Sequence, residues 1–88
     1  MVRRRLVIHG RVQGVFFRDA LRTFAERNGV AGWACNTAEG TVEAVLEGDE
    51  DAVARLSAFA RKGPEGARVE HVDECAEEPQ GLTGFSIR

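Results

Sequence analysis

Two stretches of this chain carry apolar residues at helical spacing, and a pair of strand-like segments lies between them. In the first, Phe17, Ala20, Leu21, Phe24 and Ala25 recur at i, i+3, i+4, i+7 and i+8, laying one apolar stripe along a helix. In the second, Val53, Leu56, Phe59 and Ala60 form a similar stripe within residues 49–62. A helix with one apolar face needs a surface to cover, and a sheet of alternating strands supplies it. Strand patterns fall at residues 4–9, 31–36, 41–47, 68–76 and 84–88; Val42, Ala44 and Leu46 share one face of the third, and Phe85 and Ile87 one face of the last. The order is βαββαββ. It predicts an α+β sandwich of ferredoxin-like type, βαββαβ with an additional C-terminal strand, in which an antiparallel sheet carries both helices on one face.

The punctuation agrees with this order. Asn28-Gly29 ends the first helix, because Gly29 can take the left-handed C′ conformation while Val30 packs back. Residues 37–40 form a turn, Asp49 suits an N-cap, and Gly63-Pro64 stops the second helix. In residues 68–76 the apolar Val69 and Val72 do not share parity, which predicts a bulge or an irregular edge. The whole chain, 1–88, reads as one domain. At this length it buries roughly 60% of its unfolded surface, so its stability requires neither metal nor disulfide.

Composition narrows the function classes. With 43% hydrophobic and 30% charged residues and a net charge of −2, the chain has the balance of an ordinary soluble domain. It lacks the basic excess that draws a protein to nucleic acid or membranes. No apolar run approaches a membrane span or a signal-peptide core, so a cytoplasmic, monomeric protein is expected. An RNA-binding relative of this fold would carry aromatic residues on its central strands, and the first and third strands have none.

The segment with most chemical content is Gly10-Arg11-Val12-Gln13-Gly14-Val15-Phe16-Phe17-Arg18, which joins the first strand to the first helix. Its two glycines allow backbone conformations closed to other residues. Successive N–H groups in such a turn can converge on an anion, and the helix start adds the positive end of its dipole. Arg18, in the first helical turn, can bring a guanidinium fork to the same anion. A plain connection with a solvated Arg18 has the same features. The segment lacks the Lys-Ser/Thr of a Walker loop and the glycine spacing of a dinucleotide fold.

The spelling of the segment is more specific than its shape. It resembles the signature of the acylphosphatase family, G-x-V-Q-G-V-x-F-R. A second stretch, Gly32-Trp33-Ala34-Cys35-Asn36 followed by Gly40-Thr41-Val42 and Gly48, is similar to that family's other signature around an Asn. The two matches cover about a third of the chain in the order and spacing of the family. The resemblance implies a hydrolase that cleaves the carboxyl-phosphate bond of acyl phosphates. It implies that the backbone of Val12, Gln13, Gly14, Val15 and Phe16 cradles the phosphoryl group, with Arg18 binding it and Asn36 positioning the attacking water. It also implies inorganic phosphate as product and inhibitor. No cofactor and no metal are expected. Cys35 stands where the family commonly has Lys or Arg, and in a regular strand it points away from Asn36. The alternative is a non-catalytic anion-binding module of the same fold.

The topology brings the two motifs together. First and third strands are neighbours in such a sheet, so the end of the first, at His9, lies beside the start of the third, at Thr41, next to the turn after Asn36. The remaining candidates have ordinary readings. His9 is expected as a half-buried sheet residue and His71 on the surface, neither with ligand partners at metal spacing. Asp19 suits the helix dipole, and Asp49-Glu50-Asp51 marks a helix start. Arg11 either attracts an anionic substrate or faces solvent. The second and fourth strands, carrying Cys35 and Cys75, lie on opposite sides of the central pair. That separation exceeds the roughly 7 Å between Cα atoms that a disulfide tolerates. Thiol titration of the unreduced, unfolded chain should therefore find two thiols, and finding none would count against the topology.

Overall fold

A computed structural model describes residues 1–88. Its elements are β1 (Val2–Arg11), α1 (Phe17–Arg27), β2 (Ala31–Asn36), β3 (Val42–Gly48), α2 (Glu50–Lys62), β4 (Arg68–Glu77) and β5 (Phe85–Ile87). They form one five-stranded sheet in the order β4-β1-β3-β2-β5. Both helices pack on the same face, α1 over β2 and β5, α2 over β4, β1 and β3. The ferredoxin-like expectation holds with one correction. The sheet is mixed, because β5 pairs with β2 in parallel. After β4 the chain must cross to the far edge of the sheet before its last strand, and it arrives running in the same direction as β2.

The core between sheet and helices is the one the periodicity predicts. Leu6 and Ile8 of β1, Val42, Ala44 and Leu46 of β3, Leu21 and Ala25 of α1, and Leu56 and Ala60 of α2 are all fully buried. Burying each large side chain of this kind stabilises the fold by roughly 1.5–3 kcal/mol. Phe24 and Phe59, half-exposed where the helices meet, stack at 5.0 Å between centroids. Helix α1 ends in a Schellman motif: Gly29 sits at φ 66°, Gly29 N–H donates to Glu26 O (3.4 Å) and Val30 N–H to Ala25 O (2.9 Å). Asp49 stands at the N-cap of α2, but its side chain makes no capping bond; only its carbonyl is engaged, by Val53 N–H at 2.9 Å.

The irregularity expected in the fourth strand is a bulge. His9 lies opposite His71 and Gly10 opposite Val69, which leaves Glu70 as the extra residue. There the two backbones come so close that a Cβ on Gly10 (φ 124°) would overlap the main-chain oxygen of Arg68. β1 runs beyond the expected 4–9 at both ends, because β3 pairs with it from Val2 and the edge strand β4 as far as Arg11.

The open face of the sheet carries a layer of ion pairs, buried at Arg3 and Glu47 and partly exposed around Arg5. Arg3 and Glu47 are both buried, and Arg3 Nη1 donates to Glu47 Oε2 at 3.2 Å while its Nε donates to Glu77 Oε1 at 2.9 Å. Arg5 reaches Glu43 and Glu77, each at 2.6 Å. Trp33 lies on the same face, with the Arg88 guanidinium 4.4 Å from its ring centroid. Glu47 also holds the crossing segment: Gln80 N–H donates to Oε2 at 2.9 Å and Leu82 N–H to Oε1 at 2.8 Å. Cys35 and Cys75 are free, on β2 and β4, with β1 and β3 between them.

The Glu47 contacts set an acid limb to stability. The N–H of Gln80 first, then that of Leu82 and the Arg3 guanidinium, hold its pKa below the ordinary carboxylate value. A depressed folded-state pKa gives stabilisation that is complete above the unfolded pKa of about 4.3 and is lost as pH falls through the folded value. Glu47→Gln should therefore be less stable than the wild type at pH 7, and the gap should shrink progressively as pH falls below the ordinary carboxylate range. Urea midpoints of both proteins across a pH series test this, and a gap that does not change with pH would sink it.

Candidate active site

The site is built at the end of the sheet where β1 stops and β3 starts. Ile8 lies opposite Val42 in the β1–β3 ladder, and Asn36 lies opposite Val42 in the β2–β3 ladder. The last residue of β2 and the chain leaving β1 therefore converge. Because β1 continues through Arg11, the turn into α1 is shorter than the sequence reading, confined to residues 12–16.

None of the N–H groups of Val12, Gln13, Gly14, Val15 and Phe16 donates to a backbone carbonyl. The backbone of the turn is unusual. Gly14 has φ 76°, and Phe16 is the one non-glycine residue of the chain with positive φ (59°). A Cβ added at Gly14 would meet no neighbour, so what requires glycine there is its dihedral angle rather than space. Phe16 is the N-cap of α1 without a side-chain cap, so the first N–H groups of the helix are left open too. These N–H groups lie beside the N-terminus of α1, the positive end of its dipole.

A pocket of about 210 Å³ lies at this turn, lined by Val12, Gly14, Phe16, Phe17, Arg18, Asp19 and Asn36. It brings Arg18 and Asn36, from different elements, to one cavity, together with three of the five turn residues. Gln13 and Val15 do not line it. Arg18 is half-exposed, and its Nη1 donates to the main-chain oxygen of Arg88 at 3.2 Å. That residue is tied in turn to the sheet, Arg88 N–H donating to Ala34 O at 2.8 Å. Asp19 does not neutralise Arg18; its carboxylate receives Arg22 Nη2 at 3.3 Å. Arg11 is exposed at the end of β1, outside the pocket.

One functional side chain escaped the sequence reading. The amide of Gln13, assigned only a backbone role, donates from Nε2 to Thr37 O and to Thr41 O, each at 2.9 Å. It ties the turn after β1 to the hairpin after Asn36. That hairpin is closed by Thr37 N–H to Thr41 O (2.9 Å) and by the hydroxyls of Thr37 and Thr41, 2.6 Å apart. The signal available in sequence was the pair of threonines flanking the predicted turn.

His9 and His71 are closer than expected. Their rings are 5.4 Å apart, and both face Asp73, His9 Nε2 at 3.0 Å from Oδ2 and His71 Nε2 at 2.6 Å from Oδ1. The His71 bond first, then that of His9, lowers the pKa of Asp73. The cluster lies away from the pocket, and no group of three His, Cys, Asp or Glu side chains is arranged to hold a metal ion. No helix is long and apolar enough to cross a membrane.

The chain is similar to known proteins of one family over almost its whole length. The family model described as Acylphosphatase matches residues 4–87. The acylphosphatase of Pyrobaculum arsenaticum is 55% identical over 82 residues, spanning 92% of this chain and 86% of the relative. That of Rubrobacter xylanophilus is 52% identical over 86 residues, spanning 96% of this chain and 77% of the relative. Among solved structures, the acylphosphatase of Bacillus subtilis superimposes with a TM-score of 0.96 at 31% sequence identity, over 100% of this chain and 99% of that one.

The Gln13 bridge is testable by chemistry as well as by deletion. Gln13→Ala removes two hydrogen bonds and should destabilise the chain by about 1–2 kcal/mol in urea unfolding. Gln13→Glu is nearly isosteric but turns two donors into acceptors facing two carbonyl oxygens, so it should be worse than Gln13→Ala. Equal stability of the two variants would show that the amide does not bridge.

Proposed function

The chain belongs to the acylphosphatase family and hydrolyses acyl phosphates, and on that basis we propose that the turn Val12–Phe16, Arg18 and Asn36 carry the reaction. In this reading the N–H groups of Val12, Gln13, Gly14, Val15 and Phe16 and the Arg18 guanidinium hold the phosphoryl group, and Asn36 orients the attacking water. The observation that carries it is the meeting of Arg18 and Asn36 in one pocket beside a turn whose N–H groups have no backbone acceptor.

The leaving group explains why so small a site suffices. Acyl phosphates release a carboxylate whose conjugate acid has a pKa of roughly 4–4.5. It departs at neutral pH without a proton donor. The transition state is loose, with charge spread over the phosphoryl oxygens. The protein has then to hold the phosphate, stabilise that charge and aim a water. Fixed N–H donors and one guanidinium do the first two, since they are already oriented when the charge develops. An amide is suited to the third, because it can donate to and accept from the same water. No covalent phosphoenzyme is called for. Inorganic phosphate, the product, has the same three-oxygen face as the transferred group and should inhibit. With a net charge of −2, neither nucleic acid nor membrane enters this reading. The chain works as a cytoplasmic monomer on a small molecule.

The two side-chain roles separate in a kinetic experiment. Arg18 meets the phosphate in both ground and transition states, so Arg18→Gln should weaken phosphate inhibition and slow benzoyl phosphate hydrolysis together. Arg18→Lys should rescue only part of this, because a point charge does not reproduce the fork. Asn36→Ala should lower kcat by about 10²-fold or more while phosphate inhibition stays near wild type. Hydrolysis should persist in EDTA. Wild-type turnover in a folded Asn36→Ala protein would remove the water-orienting role and leave Asn36 a hairpin residue.

A further inference from the structure

Phe16 has no role in the fold that its exposure and conformation would explain. Apart from Met1 it is the one large apolar side chain left exposed, at 79%. The next residue, Phe17, is 1% exposed in the core, so the exposure belongs to position 16 and not to the segment. Phe16 is also the only non-glycine residue with positive φ, a conformation that costs an L-residue about 1–2 kcal/mol and costs glycine nothing. The ring contributes neither burial nor a helix cap. A residue that strains the backbone and adds nothing to packing is placed by what it does on the surface.

What it does there is line the pocket that holds Arg18 and Asn36. An acyl phosphate has two unlike ends. The phosphoryl end is charged and matches the N–H groups and guanidinium. The acyl end is a carbon skeleton that must project out of the cradle. The other apolar lining residues, Val12 and Phe17, are almost wholly buried. The Phe16 ring is therefore the one extended apolar surface available to that end. A single ring is too small to anchor a protein interface, which takes hundreds of square ångströms on each side.

We propose that the Phe16 ring contacts the acyl group of the substrate and sets its specificity, favouring aromatic and extended apolar acyl phosphates over acetyl phosphate. The proposal rests on the assignment of the cradle and Arg18 above. Because the Phe16 N–H belongs to that cradle, the decisive quantity is a ratio, in which damage to phosphate binding cancels. That quantity is kcat/KM for benzoyl phosphate divided by kcat/KM for acetyl phosphate. Intrinsic leaving-group differences cancel when the ratio is compared between variants.

Phe16→Gly relieves the backbone strain while deleting the ring, and should lower the ratio roughly 3- to 10-fold, the scale of losing an aromatic pair. Phe16→Leu, which keeps an apolar side chain, should lower it less. Inhibition of the unmodified protein gives a second measurement. Benzylphosphonate should inhibit roughly 3- to 10-fold more tightly than methylphosphonate. An unchanged ratio in folded Phe16→Gly, or equal inhibition by the two phosphonates, would overturn the proposal while leaving the cradle intact. A wild-type chain that hydrolyses neither substrate would remove the parent reading and this one together.

Discussion

A carboxylate at the far end of the sheet helps to place the guanidinium at the site. Glu47 is buried, and it gathers Arg3 and the N–H groups of Gln80 and Leu82 onto its two oxygens. Those N–H groups belong to the segment that carries the chain from β4, at one edge of the sheet, to β5, at the other. Such a segment has no ladder of its own, and a carboxylate accepting several N–H bonds is a strong way to fix it. Once fixed, β5 runs parallel to β2, and the main-chain oxygen of Arg88 arrives beside Arg18. The main-chain oxygen that Arg18 bonds thus lies at the end of a segment held by a residue outside the pocket.

The site itself is kept by a balance of unfavourable backbone and compensating struts. A left-handed Phe so close to a left-handed Gly would not be the preferred arrangement of an isolated peptide. It is held because both ends of the turn are anchored. β1 enters it paired on both sides as far as Ile8, and Phe17 leaves it buried in the core. Between these anchors the Gln13 amide fixes the turn laterally to the hairpin after Asn36. The turn and the hairpin after Asn36 are therefore not independent. A change in the hairpin moves the turn, and the reverse holds as well.

Local rules read well from the sequence because they depend on neighbours along the chain. The stripe spacing and Asn28-Gly29 gave α1 to within a residue, and residues 31–36 are the observed β2. The mismatched parity of Val69 and Val72 pointed to a bulge that the backbone contains. The meeting of Arg18 and Asn36 followed from strand order. What stayed hidden depends on contacts across the sheet. Val45 lies on the face away from the helices yet is fully buried, because that face carries Trp33 and a layer of paired charges. Glu47 reads as a solvated strand residue until its partners at 3, 80 and 82 are brought to it. The His9–Asp73–His71 cluster is assembled from two strands 62 positions apart, which no motif spacing records.

Arginine use across the molecule separates Arg18 from the guanidinium groups spent on carboxylates. A guanidinium has five N–H donors in a fixed plane, and what it can offer is what the fold leaves unused. Arg3 and Arg5 each engage two carboxylates on the open face, and Arg3 is buried besides. Arg61 is paired with Glu74 on the helix side. Arg18 makes a single side-chain bond, 3.2 Å to a main-chain oxygen, and the acid next to it in sequence is turned toward Arg22. One bond orients the side chain and leaves most of its donors without a partner in the fold.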